Sequence, residues 1–142
     1  MSQRTLTIIR GLPGSGKSTL GERLTPGFCF SADDYFTDED GAYQFDAANL
    51  ESAHRDCLGN VESCMISCGE DLCVANTFTR FWEVEPYIDI ALKNGYSVHI
   101  LVCTNDYGSD HDVPEEAIQR MRDRWEDFTQ TVKSHVLPEF LN

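Results

Sequence analysis

One short run constrains this chain more than any other. Residues 11–18, Gly-Leu-Pro-Gly-Ser-Gly-Lys-Ser, follow the apolar run Leu6-Thr7-Ile8-Ile9 and precede a helical pattern that begins at Lys17. Glycine weakens strands and helices alike, so glycines clustered between two such elements mean that the backbone must approach something closely. The run fits Gly-x-x-x-x-Gly-Lys-[Ser/Thr] in full. At average composition, its four fixed positions coincide in a chain of this length in roughly half a percent of cases. An incidental glycine-rich turn is therefore a poor explanation.

The residue types say what is approached. Small residues let consecutive backbone N–H groups point inward around a phosphate, and a helix N-terminus adds positive potential there. Lys17 then neutralises β- and γ-phosphates, and the Ser18 hydroxyl is placed to ligate Mg²⁺. The candidate nucleotide-binding residues are Gly11, Pro13, Gly14, Ser15, Gly16, Lys17, Ser18 and Thr19, with ATP–Mg²⁺ as the expected ligand. Gly21 reads as a packing point of the helix against a sheet. A dinucleotide fingerprint is excluded, because Gly14-x-Gly16 is followed by Thr19 where a third glycine is needed.

Apolar runs and helical patterns alternate along the rest of the chain, which predicts a parallel sheet covered by helices. Strands are expected at 5–10, 27–31, 72–76 and 97–103. Helices are expected at 17–25, at 47–68 with Asp46 as N-cap, at 81–94, and after Pro114 with the stripe Ile118, Met121, Trp125, Phe128 and Val132. The fold class is α/β: a three-layer P-loop arrangement with a short parallel sheet of four to five strands and helices on both faces. The 142 residues read as one domain, 1–142, with no internal repeat or linker.

Charge and cysteine narrow the setting. With 24 acidic and 11 basic residues the formal charge is −13, which argues against a long duplex nucleic-acid footprint. A short polynucleotide end or a small metabolite remains open as acceptor. The six cysteines include no Cys-x-x-Cys pair and sit mostly among apolar neighbours, so reduced thiols in a cytoplasmic protein are expected. Neither a secretion signal nor a membrane-spanning run is read.

Beyond the second strand lies Ser31-Ala-Asp-Asp-Tyr-Phe36. Strand C-termini face the ligand crevice in such sheets, so Asp33 or Asp34 projects beside the glycine loop. A carboxylate there can take a proton from an attacking hydroxyl, or it can cap the turn or support magnesium. Asp33 is the first candidate for base and for a metal-supporting role, with Asp34 second.

These segments, with DGAYQFD (40–46), NTFTRFWEVEPYIDIALKNGYSVHIL (76–101) and VPEEAIQRMRDRWE (113–126), resemble the kinase-type P-loop family of the 5′-polynucleotide kinases and the NEDD4-binding protein 2-like ATP-binding domains. The resemblance runs over about residues 5–128. It implies a kinase-like fold, ATP-dependent phosphotransfer to a hydroxyl such as a polynucleotide 5′-OH, and a catalytic-base role for Asp33.

The chain departs from the family pattern at three places. Ala75 and Phe78 stand where Asp and Asn are usual in Asp-Asn-Thr-Asn. Phe36 replaces an arginine, and TNDYGSDHDVP (104–114) lacks the lid's Arg-Asn pair. Replacement cations are sought in Arg120, named for both catalysis and nucleotide binding, and in Arg124 and Arg80. His111 reads as a surface turn, Tyr35 and Phe36 as stacking or packing groups, and Trp82 and Trp125 as core. A small-molecule (nucleoside or sugar) kinase and a nucleotide-binding module with little turnover are the alternative functions.

Overall fold

The computed structural model describes residues 4–108 and 113–128; His111 and Val132, assigned above to a surface turn and a helical stripe, lie outside them. Four strands, β1 (Thr5–Gly11), β2 (Cys29–Phe30), β3 (Leu72–Asn76) and β4 (Ser97–Cys103), form one parallel sheet in the order β2-β3-β1-β4. Between them run α1 (Lys17–Leu24), α2 (Leu50–Ser67) and α3 (Phe81–Lys93), and α4 (Glu115–Asp123) follows β4. Among the described residues the four strands match the lower end of the expected range.

Strand alternation builds the two interfaces. Leu6 and Ile8 on β1, in register with Leu72 and Val74 on β3, join the main core with Val61 and Met65 of α2 and Val84 and Ile88 of α3. Ile9, Cys73 and Ala75 point the other way and pack with Leu20 of α1. Both faces of the central strands are therefore buried, as parallel sheets require. On its face α1 comes close enough at Gly21 that a Cβ there would strike Cys29 Sγ.

The connections place the glycine loop. From β1 the chain crosses through α1 to β2, beyond β3; from β3 it crosses through α3 to β4, beyond β1. Neighbouring strands β1 and β3 thus send their chains in opposite directions, and their C-terminal ends open a crevice. Gly11 ends β1 at that point.

Three expectations change. The second strand pairs only at Cys29 and Phe30, because Gly27 turns the chain with φ +81° before it and Ser31 caps a 3₁₀ turn (Ala32–Phe36) after it. The last helix stops at Asp123 rather than carrying the stripe onward; Trp125 and Phe128 are drawn out of helical register onto β1. Trp82 is 71% exposed rather than core, since the buried stripe of α3 is Phe81, Val84, Tyr87, Ile88 and Ala91. All six cysteines are free thiols, and Cys68 is exposed.

Candidate active site

The glycine loop fits a polyphosphate. Gly14 and Gly16 adopt φ +83° and +91°, a region that costs other residues strain. Gly11 has no room for a side chain: its Cβ would strike Ser15 Oγ and lie 2.8 Å from the Cys103 carbonyl oxygen. Gly16 is the N-cap of α1 and no side chain caps that end, which leaves its first amides for a ligand. Ser15 Oγ, buried within the loop, has no hydrogen-bond partner among the described residues.

Lys17 Nζ donates to the Leu12 carbonyl at 3.0 Å, folded against its own loop. Burial pushes its pKa down, opposed by the nearby carboxylate of Asp33 and by Cys103. A half-buried ammonium with one carbonyl partner is suited to receive phosphate oxygens. Ser18 and Thr19 are exposed on the first turn.

The two aspartates after β2 have different partners. Asp34 Oδ2 accepts from Ser31 N at 3.1 Å, the return half of a capping box. Desolvation raises its pKa, against the lowering by that amide. Asp33 Oδ1 instead accepts from Tyr43 Oη at 3.1 Å. Burial, with Asp33 next in importance, pushes the Tyr43 phenol up to about 12, so it stays protonated and donating.

Sequence reasoning missed Tyr43 and saw only a motif match in Asn76. Asn76, buried at the end of β3, accepts from Ala32 N at 2.8 Å and from Ser31 Oγ at 3.3 Å through Oδ1. It fixes the start of the turn that carries Asp33, and Tyr43 holds the carboxylate itself. Tyr107 was missed too: its N–H donates to the Gly14 carbonyl at 2.7 Å, and its ring lies 3.1 Å from where a Gly16 Cβ would be. With Thr19, Arg23 and Asn105 it lines a groove of about 620 Å³ beside the loop.

The remaining candidates divide. Ala75 lies in the small apolar cluster under α1, so no carboxylate stands at that strand end. Phe78 is 1% exposed at φ +49°, a conformation that suits asparagine better than phenylalanine. Its ring packs edge-on against Tyr87, which offsets the strain. Phe36 is buried and unavailable for stacking, whereas Tyr35 is exposed.

Arg120 is exposed on α4, and among the described residues its guanidinium makes no hydrogen bond or ion pair. Arg124 Nε donates to Thr79 Oγ1, and Arg80 pairs with Glu126 at 3.7 Å. Both brace the loop after β3 rather than the glycine loop. Trp125 and Phe128 hold Arg10 between their rings, each 3.7 Å from its guanidinium carbon.

A sequence profile described as "AAA domain" matches residues 6–107. The chain belongs to this P-loop family. Human NEDD4-binding protein 2 is 37% identical over 97 residues, which cover 66% of this chain and 5% of that much longer protein. A gluconokinase from Sinorhizobium meliloti 1021 superposes with TM-score 0.60 at 13% identity, covering 91% of this chain and 79% of its own. A chain of the Pnkp1/Rnl/Hen1 RNA repair complex does so with TM-score 0.57 at 16% identity, covering 96% and 44%. The fold is that of P-loop kinases, and membership supports nucleotide-binding phosphotransfer chemistry. Among the described residues no helix is long and apolar enough to cross a membrane.

Proposed function

We propose that this protein is an ATP-dependent phosphotransferase that moves the γ-phosphate of ATP to a hydroxyl acceptor. The observation that carries the reading is the placement of Asp33: its carboxylate is held by Tyr43, and its charge is felt at Lys17. A carboxylate whose charge reaches the lysine of the glycine loop supports a proton-acceptor role for Asp33.

In this reading the backbone of residues 11–16 and the first amides of α1 hold the phosphates, and Lys17 leaves Leu12 for them. Ser18 and Asp33 would be the oxygen donors toward Mg²⁺, whose charge would offset that of the phosphates. Among the described residues no group of three or more His, Cys, Asp or Glu side chains could hold a metal. The groove beside Thr19, Arg23 and Tyr107 has room for the nucleoside. Arg120 is the proposed additional cation on the lid side.

The acceptor oxygen forms a bond to the γ-phosphorus and the bond to the β–γ bridging oxygen breaks. The acceptor proton passes to Asp33. The resemblance to 5′-polynucleotide kinases supports a polynucleotide end as acceptor, and the likeness to a gluconokinase keeps small metabolites in view.

A second reading, a nucleotide-binding module with little turnover, is favoured by Ala75 and by the absence of an arginine from 104–108. One experiment separates them: γ-labelled ATP and Mg²⁺ with a panel of hydroxyl acceptors, beside Asp33→Asn. Acceptor label that is lost in the variant supports transfer. Tight nucleotide binding with no labelled acceptor supports the module.

A further inference from the structure

Resting on the phosphotransferase reading, we propose that the cleft next to Asp33 is the acceptor subsite and that it takes a ring-bearing hydroxyl compound carrying no phosphate of its own. A cleft of about 360 Å³ opens along the same 3₁₀ turn that carries Asp33, lined by Tyr35, Thr37, Asp38, Gln44, Asp46 and Asn49. It is linked to Asp33 through Thr37. Thr37 Oγ1 donates to the Asp33 carbonyl at 3.0 Å, and Tyr43, bridged to Thr37, donates to its carboxylate.

Two of the residues that line the cleft are aromatic, Tyr35 and Phe36. Phe36, 7% exposed, packs edge-on against both Tyr35 and Phe45, at 5.3 and 5.1 Å between ring centroids. Those two rings are 44% and 53% exposed. An exposed ring on the wall of a concavity, Tyr35 here, suits a binding surface better than a core. Anchored on a buried hub, the rings keep their tilt before any ligand arrives, so little ordering is required on stacking. A flat or ring-shaped acceptor suits them.

Charge sets the second half of the class. No lysine or arginine lies between Arg23 and Arg55, while Asp33, Asp34, Asp38, Glu39, Asp40, Asp46 and Glu51 all do. Asp38 and Asp46 spend their carboxylates on backbone amides of the loop, which fixes its shape. Their negative charge remains. A phosphate on the acceptor would enter this field with no cation of the loop to meet it, and like-charge juxtaposition is a strong means of rejection. Nucleosides and sugars share the remaining chemistry: a ring, hydroxyls and no charge.

The test uses γ-labelled ATP, Mg²⁺ and the purified chain. The acceptor arms are free nucleosides, hexoses and polyols, the same nucleosides carrying a 3′-phosphate, and a 5′-hydroxyl oligonucleotide. Label is expected on a phosphate-free ring compound, with kcat/KM at least 10-fold above that of its 3′-phosphorylated counterpart. Phe45→Ala and Tyr35→Ala, both at exposed positions, are expected to raise the acceptor KM several-fold while the ATP KM stays within twofold. Glu39→Lys with Asp40→Lys is expected to narrow the preference against the phosphorylated counterpart by several-fold.

Preferential labelling of the oligonucleotide or the 3′-phosphorylated nucleoside overturns this proposal and leaves phosphotransfer standing. So does an acceptor KM indifferent to both aromatic substitutions. Nucleotide binding with no label in any arm overturns the phosphotransferase reading and this proposal with it.

Discussion

The two sides of the crevice are built from different materials. The donor side, residues 11–19, is made of backbone: left-handed glycines, an uncapped helix start and a single ammonium. The proposed acceptor side, residues 31–49, is made of side chains on an irregular loop: two aspartates with separate partners, a tyrosine reaching back ten residues, and exposed rings around a buried one. Backbone geometry suits phosphate, which is the same in every nucleotide. Side chains suit a partner that differs from one kinase to the next.

If that division holds, substitutions on the acceptor side should impair transfer while sparing ATP affinity. The largest effect is expected from Asp33→Asn, a fall in transfer of roughly 10²–10⁴-fold, the range for loss of a general base. Equilibrium binding of an ATP analogue should stay within a few-fold, and loss of binding on the same scale would break the comparison.

Lys17→Ala comes next. Loss of about 10²–10³-fold in transfer is expected from removal of one charge-stabilising donor, with weakened binding as well. Binding measured beside turnover should show both falling, which Asp33→Asn should not do.

Asn76→Ala tests whether the two sides are separable at all. It deletes the acceptor for Ala32 N in a buried position, so about 1–3 kcal/mol of stability is expected to go, read by denaturant unfolding. Because that amide starts the turn holding Asp33, kcat should fall several-fold with little change in ATP KM. Tyr43→Phe is milder, about 1 kcal/mol or fivefold in kcat, with fold stability close to unchanged because the lost bond is exposed.

The smallest effect is one of pH. Burial lowers the Lys17 pKa when no phosphate is present, and phosphate favours the charged form. Above that lowered value, nucleotide binding must take up a proton, so affinity should decline as pH rises through it. Calorimetric titration in two buffers of different ionisation enthalpy would register the uptake.

The same division explains what could be read beforehand. The donor side was legible because its geometry is enforced by residue type: nothing but glycine suits positions 14 and 16, and spacing alone displays them. The four strands were legible from their apolar runs. The pairing of Tyr43 with Asp33 was not, since it crosses an irregular loop joined by one isolated bridge, where no period links the two residues. Trp82 was misread by type, although the spacing of Phe81, Val84 and Ile88 already leaves it off the buried stripe. The last helix was read too long because its apolar period continues past Asp123. Glu126 N instead donates to the Thr79 carbonyl, and the rings of Trp125 and Phe128 close on Arg10, so tertiary partners replace the helical ladder.

That grip on Arg10 also has a mechanical side. The guanidinium, one residue before the glycine loop, donates to the Phe78 and Thr79 carbonyls while the two rings cover it. The end of the described chain is thereby tied directly to the strand that carries the phosphate loop. A load applied at Phe128 is a load on β1, and whatever pulls on or docks at that end has a direct line to the root of the site.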